Sequence, residues 1–255
     1  MSEKIEKAMS LFKEGKYKES IDAFHSVLET EPDNADVYNN MGVAYSCVGD
    51  FEQAIKMLIK SLELDPQLAQ AYINLSDIYY KSGDLSSAIG TLQKGSYELQ
   101  ENLTIAHLLA RVYIDDQRWD DAIEELDKVL DGEPENYDAY YDLGHVYFEL
   151  GDYEGAISNF ETVTEYRQDS ELLYYSLAQA YEANNEIDKA ISNYLKAIAV
   201  NDKFVLAYKK VAILFMARND LEDALEYFEE YSNFDVPQEE KDSVKNLIEK
   251  IKAKI

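Results

Sequence analysis

The sequence is poor in residues that cross-link the chain or ligate metals. Of its 255 residues, one is cysteine, three are histidine and four are proline. The single cysteine, Cys47, excludes an internal disulfide and fits a reducing cytoplasm. No apolar run approaches the ~18 residues of a membrane-spanning helix, and the N-terminus from Met1 to Lys4 is polar, unlike a signal peptide. These absences predict a cytoplasmic protein without direct membrane insertion.

Basic residues are also scarce. The chain has 24 Lys and Arg against 51 Asp and Glu, a formal net charge of −27. Acidic residues concentrate in the middle, with 10 acidic and 3 basic residues in 103–136, and 8 acidic and 1 basic in 137–170. Such a surface repels nucleic acid and anionic membranes, so neither is an expected partner. Two interpretations remain: solvation of outward-facing helices, which we favour, and attraction of a basic protein partner.

Motifs for catalysis and cofactor binding are lacking. The sequence has no glycine-rich phosphate loop, no cysteine pair for zinc and no HExxH. The aspartates around Trp119 lack the glycine and the terminal glutamate of a calcium loop. By repeat phase, His107 and His145 fall near Arg111 and Asp142, but two histidines without a third ligand rarely hold zinc, so a polar groove is favoured over a metal or acid–base site. We therefore expect no enzymatic activity, no cofactor and no metal.

What the sequence does have is a period of 34 residues, held in one phase along residues 1–238. Three columns of this period are nearly uniform: two hold small residues and one holds aromatic or aliphatic residues. They are Ser20, Ala54, Ala88, Ala122, Ala156, Ala190 and Ala224; Ala8, Gly42, Ser76, Ala110, Gly144, Ala178 and Ala212; and Leu11, Tyr45, Tyr79, Tyr113, Tyr147, Tyr181 and Phe215. A period of this length indicates tandem repeats of one supersecondary unit.

Within the period, apolar residues follow the spacing of two α-helices. In residues 35–68, Tyr38, Met41, Gly42 and Tyr45 lie at i, i+3, i+4 and i+7, one face of a helix over 36–48. A break at Gly49 follows, and a second helix is expected over 52–64. The pair Asp65-Pro66 ends the unit, because the residue before proline disfavours the α region. Each period is therefore predicted to be a helix–turn–helix.

The pattern is most complete in residues 137–170, which contain Tyr140, Leu143-Gly144, Tyr147, Gly151, Tyr153, Ala156 and Phe160. This pattern resembles the tetratricopeptide repeat (TPR). The resemblance implies an all-α fold, a right-handed α-solenoid (superhelix) of helix–turn–helix TPR units. Seven repeats are expected, at 1–34, 35–68, 69–102, 103–136, 137–170, 171–204 and 205–238. The turn glycine is replaced at Gln117, Asn185 and Asn219, which leaves the local turn geometry open.

The last segment, 239–255, breaks the period and carries one apolar stripe that includes Val244, Leu247 and Ile251. The family commonly ends in such a capping helix, which covers the last repeat. A partner-binding amphipathic helix is the alternative for this segment.

In the family, the first helix of each repeat lines a concave groove that receives ligand peptides. The residues at these columns are the candidate partner-binding site, and they comprise amides that can pair with an extended backbone, apolar side chains not needed for repeat packing, and a few charged groups. They are Asn39, Asn40, Ile73, Asn74, Tyr80, His107, Leu108, Arg111, Ile114, Tyr141, His145, Phe148 and Tyr175. The alternative is a groove partly filled by neighbouring side chains.

Two further features bear on partner binding: the positions of a chaperone-tail clamp and an apolar stripe at the start of the chain. The carboxylate clamp by which some family members bind acidic chaperone tails would fall on Ile5, Met9, Asn40, Gln70 and Asn74, and only Asn40 matches, so chaperone-tail binding is disfavoured. On the first helix, Ile5, Met9 and Phe12 form an apolar stripe that would be bare at the end of the array. Bare apolar residues there favour end docking or self-association.

The sequence thus predicts a non-catalytic scaffold or adaptor that binds a peptide or protein partner in the groove, with assembly of a larger complex as one role for it. The alternative is a self-assembling structural scaffold of the magnetosome-associated TPR type. We also expect a soft joint between the third and fourth repeats, because Gly90 and Gly95 both fall in one predicted helix. The alternative there is that Gly95 allows tight packing.

Overall fold

The computed structural model describes residues 3–255, and within that range all regular structure is α-helical. Met1 and Ser2, which belong to the expected first repeat and polar N-terminus, lie outside the described residues. The fifteen helices are α1 Glu3–Lys13, α2 Tyr17–Leu28, α3 Ala35–Cys47, α4 Phe51–Leu64, α5 Ala69–Lys81, α6 Leu85–Glu98, α7 Leu103–Asp115, α8 Trp119–Gly132, α9 Tyr137–Glu149, α10 Tyr153–Thr164, α11 Glu171–Ala183, α12 Ile187–Val200, α13 Val205–Ala217, α14 Leu221–Asn233 and α15 Gln238–Lys252. Of these described helices, none is long and apolar enough to cross a bilayer.

The chain divides into two compact units, 1–135 with α1–α8 and 136–255 with α9–α15. In the first unit, each odd-numbered helix packs against the even-numbered helix that follows, and each pair packs against the next. The second unit is built in the same way, with α15 packed on α14. Each unit is therefore a stack of helical hairpins, and the predicted all-α class of helix–turn–helix repeats is confirmed.

The small-residue columns are the places where the two helices of a hairpin meet most closely. Ala54 and Ala122 are fully buried. A Cβ atom on Gly42 would lie 2.5 Å from Leu58 Cγ, and one on Gly144 would lie 2.6 Å from Phe160 Cε1. Only hydrogen fits at such separations, so the glycines in this column are required by packing.

Several helices begin at a side chain that accepts a hydrogen bond from the backbone amide three residues further along the chain. Asp50 Oδ1 accepts from the Gln53 amide at 3.1 Å, and Asn102 Oδ1 accepts from the Ile105 amide at 3.1 Å. Such N-caps satisfy amides that have no partner within the helix. The cap at Asn102 defines the start of α7 where the closing proline of the repeat is absent.

The hairpin turns share one backbone conformation. The turn glycines Gly49 and Gly151 have φ of 81° and 79°. Where glycine is replaced, Gln117, Asn185 and Asn219 have φ of 57°, 62° and 65°. The replacements therefore keep the left-handed conformation, at a cost of roughly 1 kcal/mol each for a residue with a Cβ.

The soft joint expected after the third repeat stays a prediction, and no helix break marks it in that repeat. Its second helix, α6, runs unbroken from Leu85 to Glu98. A Cβ on Gly95 would lie 3.0 Å from Tyr72 Cγ and 3.3 Å from Ile105 Cδ1, whereas Gly90 has no neighbour within 4 Å of that position. Tight packing, the alternative at Gly95, is what the structure shows. The boundary between compact units also falls one repeat later than the expected joint, after residue 135.

The last helix covers the last hairpin. Val244 and Ile251 of α15 are buried in a cluster with Phe228 of α14. Across the same contact, Glu240 accepts a hydrogen bond from Lys209 Nζ at 2.8 Å. We expect α15 to act as a cap, since these contacts cover an apolar surface that would otherwise face water.

Candidate functional site

In the first unit, the first helices of successive repeats form a surface with two clefts. The larger one, named here the α5–α7 cleft, has a volume of about 320 Å³. Its lining combines five of the predicted groove residues with five others: Ile73, Asn74, Tyr80, Leu108 and Arg111, and Ser76, Asp77, Leu92, Val112 and Asp115. The structure therefore brings a large part of the predicted site together in one place.

The floor of the α5–α7 cleft is apolar and its rim is polar. Leu92 and Val112 are buried beneath it, while Tyr80 is 43% exposed at the edge. The Tyr80 hydroxyl donates to Asp115 Oδ2 at 2.7 Å, and this hydrogen bond raises the pKa of Tyr80. A floor of this kind accepts an apolar side chain, and the rim offers hydrogen bonds and charge to the backbone around it.

The smaller cleft, about 240 Å³, lies between α1, α3 and α5 and contains the predicted amide cluster. Asn74 Nδ2 donates to Asn39 Oδ1 at 2.8 Å, and Gln70 Nε2 donates to Asn74 Oδ1 at 2.9 Å. Asn39 lines this cleft but is buried, at 6% exposure, so little of its amide is open to a ligand, and its contact with a partner stays a prediction. Asn40 is half-buried beside the same cleft, and its side chain makes no hydrogen bond within residues 3–255.

The apolar stripe on α1 is half-buried rather than bare. Ile5, Met9 and Phe12 pack against the first core cluster, which includes Phe24. The Phe12 ring meets the edge of the Tyr17 ring with centroids 5.3 Å apart. Met9 and Phe12 also line the smaller cleft, so they belong to the groove as much as to the chain end. Docking at that end stays a prediction.

In the second unit, the predicted aromatic groove residues are packed. The rings of Tyr141 and Phe148 lie 5.6 Å from those of Phe160 and Tyr153, respectively, and the Tyr175 ring lies 5.3 Å from that of Phe204. All three predicted residues pack against the buried core of this unit. The premise that they are not needed for repeat packing is therefore wrong. They are partly buried between helices, and their contact with a partner stays a prediction.

The remaining predicted residues are placed as follows. Ile114 and His107 are half-buried on α7, whereas His145 is exposed on α9 in the other unit. Within residues 3–255, no group of three or more His, Cys, Asp or Glu side chains is arranged to hold a metal ion.

One polar network in the first-helix surface of the second unit was missed. Glu182 of α11 accepts from the Tyr194 hydroxyl at 2.6 Å and from Lys210 Nζ at 3.0 Å. Burial, followed by the hydrogen bond to Glu182, raises the pKa of Tyr194. Glu182 and Lys210 both occupy groove columns of the repeat, and their opposite charges were the signal that could have paired them.

Three of the hydrogen bonds on these surfaces join residues that are 35 positions apart. They link Asn74 to Asn39, Tyr80 to Asp115, and Tyr141 to Ser176, the last with 3.4 Å between oxygens. Each connects one first helix to the next. The groove surface is therefore assembled from neighbouring repeats within a unit.

The stacked helical hairpins with uniform turns and small-residue columns define a tandem helix–turn–helix repeat protein. Family comparison agrees: tetratricopeptide repeat models match residues 33–96, 113–180, 147–192 and 175–235, and a TPR repeat model matches residues 9–46. The chain belongs to the tetratricopeptide repeat family, whose members are generally non-catalytic scaffolds. Comparison with curated proteins finds no match.

Several solved structures are similar to this chain. The C-terminal part of a TPR repeat-containing protein from Cytophaga hutchinsonii has a TM-score of 0.79 at 20% identity, covering 94% of this chain and 98% of that one. MamA has a TM-score of 0.59 at 27% identity, covering 62% and 92%. YrrB, described as a TPR protein with an unusual peptide-binding site, has a TM-score of 0.63 at 24% identity, covering 73% and 96%.

Proposed function

We propose that this protein is a non-catalytic, cytoplasmic scaffold or adaptor that holds an extended segment of a protein partner in the groove of its first unit. The observation that carries the proposal is the α5–α7 cleft, with a partly exposed Tyr80 over a floor that includes Leu92 and Val112. Apolar clefts with a few convergent polar groups are the usual form of a binding site. The fold supports it too, since another TPR protein, YrrB, carries a peptide-binding site.

The two clefts divide the recognition between them. The α5–α7 cleft takes one large apolar side chain of the partner, because its floor is apolar and its volume of about 320 Å³ fits one such group. The smaller cleft takes the neighbouring backbone, because Asn40 offers both a donor and an acceptor there. Asn74 lines both clefts and connects them.

Affinity measurements on groove variants test this function. A partner captured by the intact chain is titrated by calorimetry against the chain carrying Asn40→Ala and Tyr80→Ala. Truncating two groups at an interface is expected to cost more than about 2 kcal/mol, roughly 30-fold in Kd. The folded chain should keep its helical content and Tm, because neither side chain is buried.

The matched control is Ile59→Ala. Ile59 is 42% exposed, close to the exposure of Tyr80, but it lies on the second helix α4. Its truncation should leave the affinity unchanged. Full-strength binding by the groove variant, or an equal loss in the control, would show that the partner does not use this groove.

A second candidate function is self-assembly into a structural scaffold. The observation that favours it is a pair of exposed apolar side chains at the α3–α4 turn: Val48 at 37% and Phe51 at 48% exposure. Exposed apolar groups close together favour association between copies. Light scattering at several concentrations separates the candidates: an adaptor keeps a constant mass, whereas a self-assembling scaffold grows, and Phe51→Ser should then reduce the growth.

A further inference from the structure

A further cleft lies on the side of the second helices and shares no lining residue with the two clefts of the groove. It has a volume of about 440 Å³ and lies between α6, α7 and α8. Its lining is polar and acidic with two tyrosines: Gln93, Ser96, Tyr97, Gln100, Leu109, Tyr113, Asp121, Glu124 and Glu125. We call it the α6–α8 cleft. Its acidic residues all belong to the repeat of 103–136, where acidic residues outnumber basic ones by 10 to 3.

One acid in this cleft is buried and incompletely bonded. Glu125 is 8% exposed, and its Oε1 accepts from Lys128 Nζ at 2.8 Å. Its other oxygen, Oε2, is buried and has no hydrogen-bond partner within residues 3–255. A buried carboxylate oxygen without a donor is costly, and such groups in a folded protein call for an explanation. The last torsion of a glutamate is broad, so this carboxylate can turn towards a donor that enters the cleft.

The charges around Glu125 are mostly neutralised within the chain. Lys128 Nζ is shared between Glu125 and Glu124, and lies 3.1 Å from Glu124 Oε1. Arg118 pairs with Asp121 at 2.7 Å. Three acids therefore share two bases, and the cleft keeps one negative charge in excess.

An arginine of this chain already contacts both an aromatic ring and a carboxylate that line the cleft. The Arg118 guanidinium lies over the Tyr113 ring, 4.4 Å from its centroid, while pairing with Asp121. Tyr97, on the rim of the cleft, is 75% exposed and offers a second aromatic face. Arginine suits such a setting better than lysine, since its planar donors match carboxylates and its plane stacks on aromatic rings.

We propose that the α6–α8 cleft binds an arginine side chain of a protein partner, with Glu125 accepting its hydrogen bonds and Tyr97 covering its plane. This site is separate from the groove and does not depend on the groove being occupied. It would let the chain hold two segments at once, an apolar one on the first helices and a basic one on the second helices. The negative charge of the fourth repeat would then serve recognition as well as solvation.

The test uses the full chain, labelled with ¹⁵N, and the small probe N-acetyl-arginine methylamide. Titration followed by NMR should shift amide signals of residues lining the cleft, including the side-chain amides of Gln93 and Gln100. The isosteric but neutral N-acetyl-citrulline methylamide should give no such shifts. Glu125→Gln should weaken arginine binding roughly tenfold, the effect of losing a charge-assisted hydrogen bond.

Two control variants make the result specific. Asp127→Asn removes one charge from the same helix at an exposed position outside the cleft, and should change the affinity less than twofold. Tyr80→Ala, in the groove, should have no effect. The proposal is overturned if citrulline binds as well as arginine, if the shifts spread over the acidic surface without concentrating at the cleft, or if Glu125→Gln and Asp127→Asn weaken binding equally.

Discussion

Replacing Gly95 and Gly90 by alanine, one at a time, separates a packing role from helix propensity. Both lie inside α6, and alanine gains about 1 kcal/mol of helix propensity over glycine at either position. At Gly90 the new methyl group has no neighbour within 4 Å, so this variant should be more stable than the parent by about that amount. At Gly95 the methyl lies 3.0 Å from Tyr72 Cγ, 3.2 Å from its Cβ and 3.3 Å from Ile105 Cδ1.

These contacts are tighter than van der Waals packing, and Tyr72 and Ile105 are themselves fully buried. Overpacking of this kind costs roughly 1–3 kcal/mol. Because both variants share the propensity gain, the difference in their free energies of unfolding isolates the overpacking cost. It should therefore be about 1–3 kcal/mol in favour of Gly90→Ala.

Urea unfolding followed by far-UV circular dichroism measures this difference, and hydrogen exchange locates it. Amides of α5–α7 should exchange faster in Gly95→Ala and slower in Gly90→Ala. The reasoning is refuted if Gly95→Ala is as stable as Gly90→Ala. Slower hydrogen exchange across 86–102 in Gly95→Ala would instead support the soft joint expected between the third and fourth repeats.

Two further predictions concern the packing columns and alkaline pH. Ala122→Leu should overpack the α7–α8 hairpin by roughly 1–3 kcal/mol, and faster hydrogen exchange should stay within neighbouring hairpins of the first unit; uniform loss of protection would contradict this. Burial, then the hydrogen bond from its hydroxyl to Glu240, raises the pKa of Tyr231 to about 12. Its stabilising contribution is present below the unfolded pKa of about 10 and is lost as the pH rises through the folded value. The free energy of unfolding should therefore fall less in Tyr231→Phe than in the parent between about pH 8 and pH 11, as measured by urea unfolding midpoints. An equal fall in both would show that the Tyr231 hydroxyl does not contribute to the pH dependence.

The helices were predictable because their signals are local and repeated. Gly42 and Ala54 recur as columns, and the structure places both at a close approach of two helices. The exposure of Asn39 was not predictable, because it is decided by Asn74 in the next repeat. The apolar floor of the α5–α7 cleft was missed for a related reason: Leu92 belongs to a core column, and a residue that packs the interior can also close a cleft from below.

The contacts of the aromatic residues in the second unit could not be predicted from the repeat columns either. Tyr175 falls in a groove column, yet its ring packs on Phe204, which lies in the following repeat. A large side chain at a surface column can reach across to a neighbour, and nothing in the spacing of its own helix reports that. The column of a residue therefore predicts which face of its helix it lies on, but not which side chains of the neighbouring repeat cover it.

The hydrogen bonds between residues 35 positions apart require neighbouring first helices to keep a fixed register. One extra residue within α7, ahead of Asp115, would move that side chain by about 100° around the helix axis and would carry it away from Tyr80, although every side chain in the cleft would still be present. Whole repeats of 34 residues can be added, removed or exchanged while this register is kept. The binding surface can therefore change in length by complete repeats, whereas an insertion inside a first helix would break the pairs that the helix makes beyond that point.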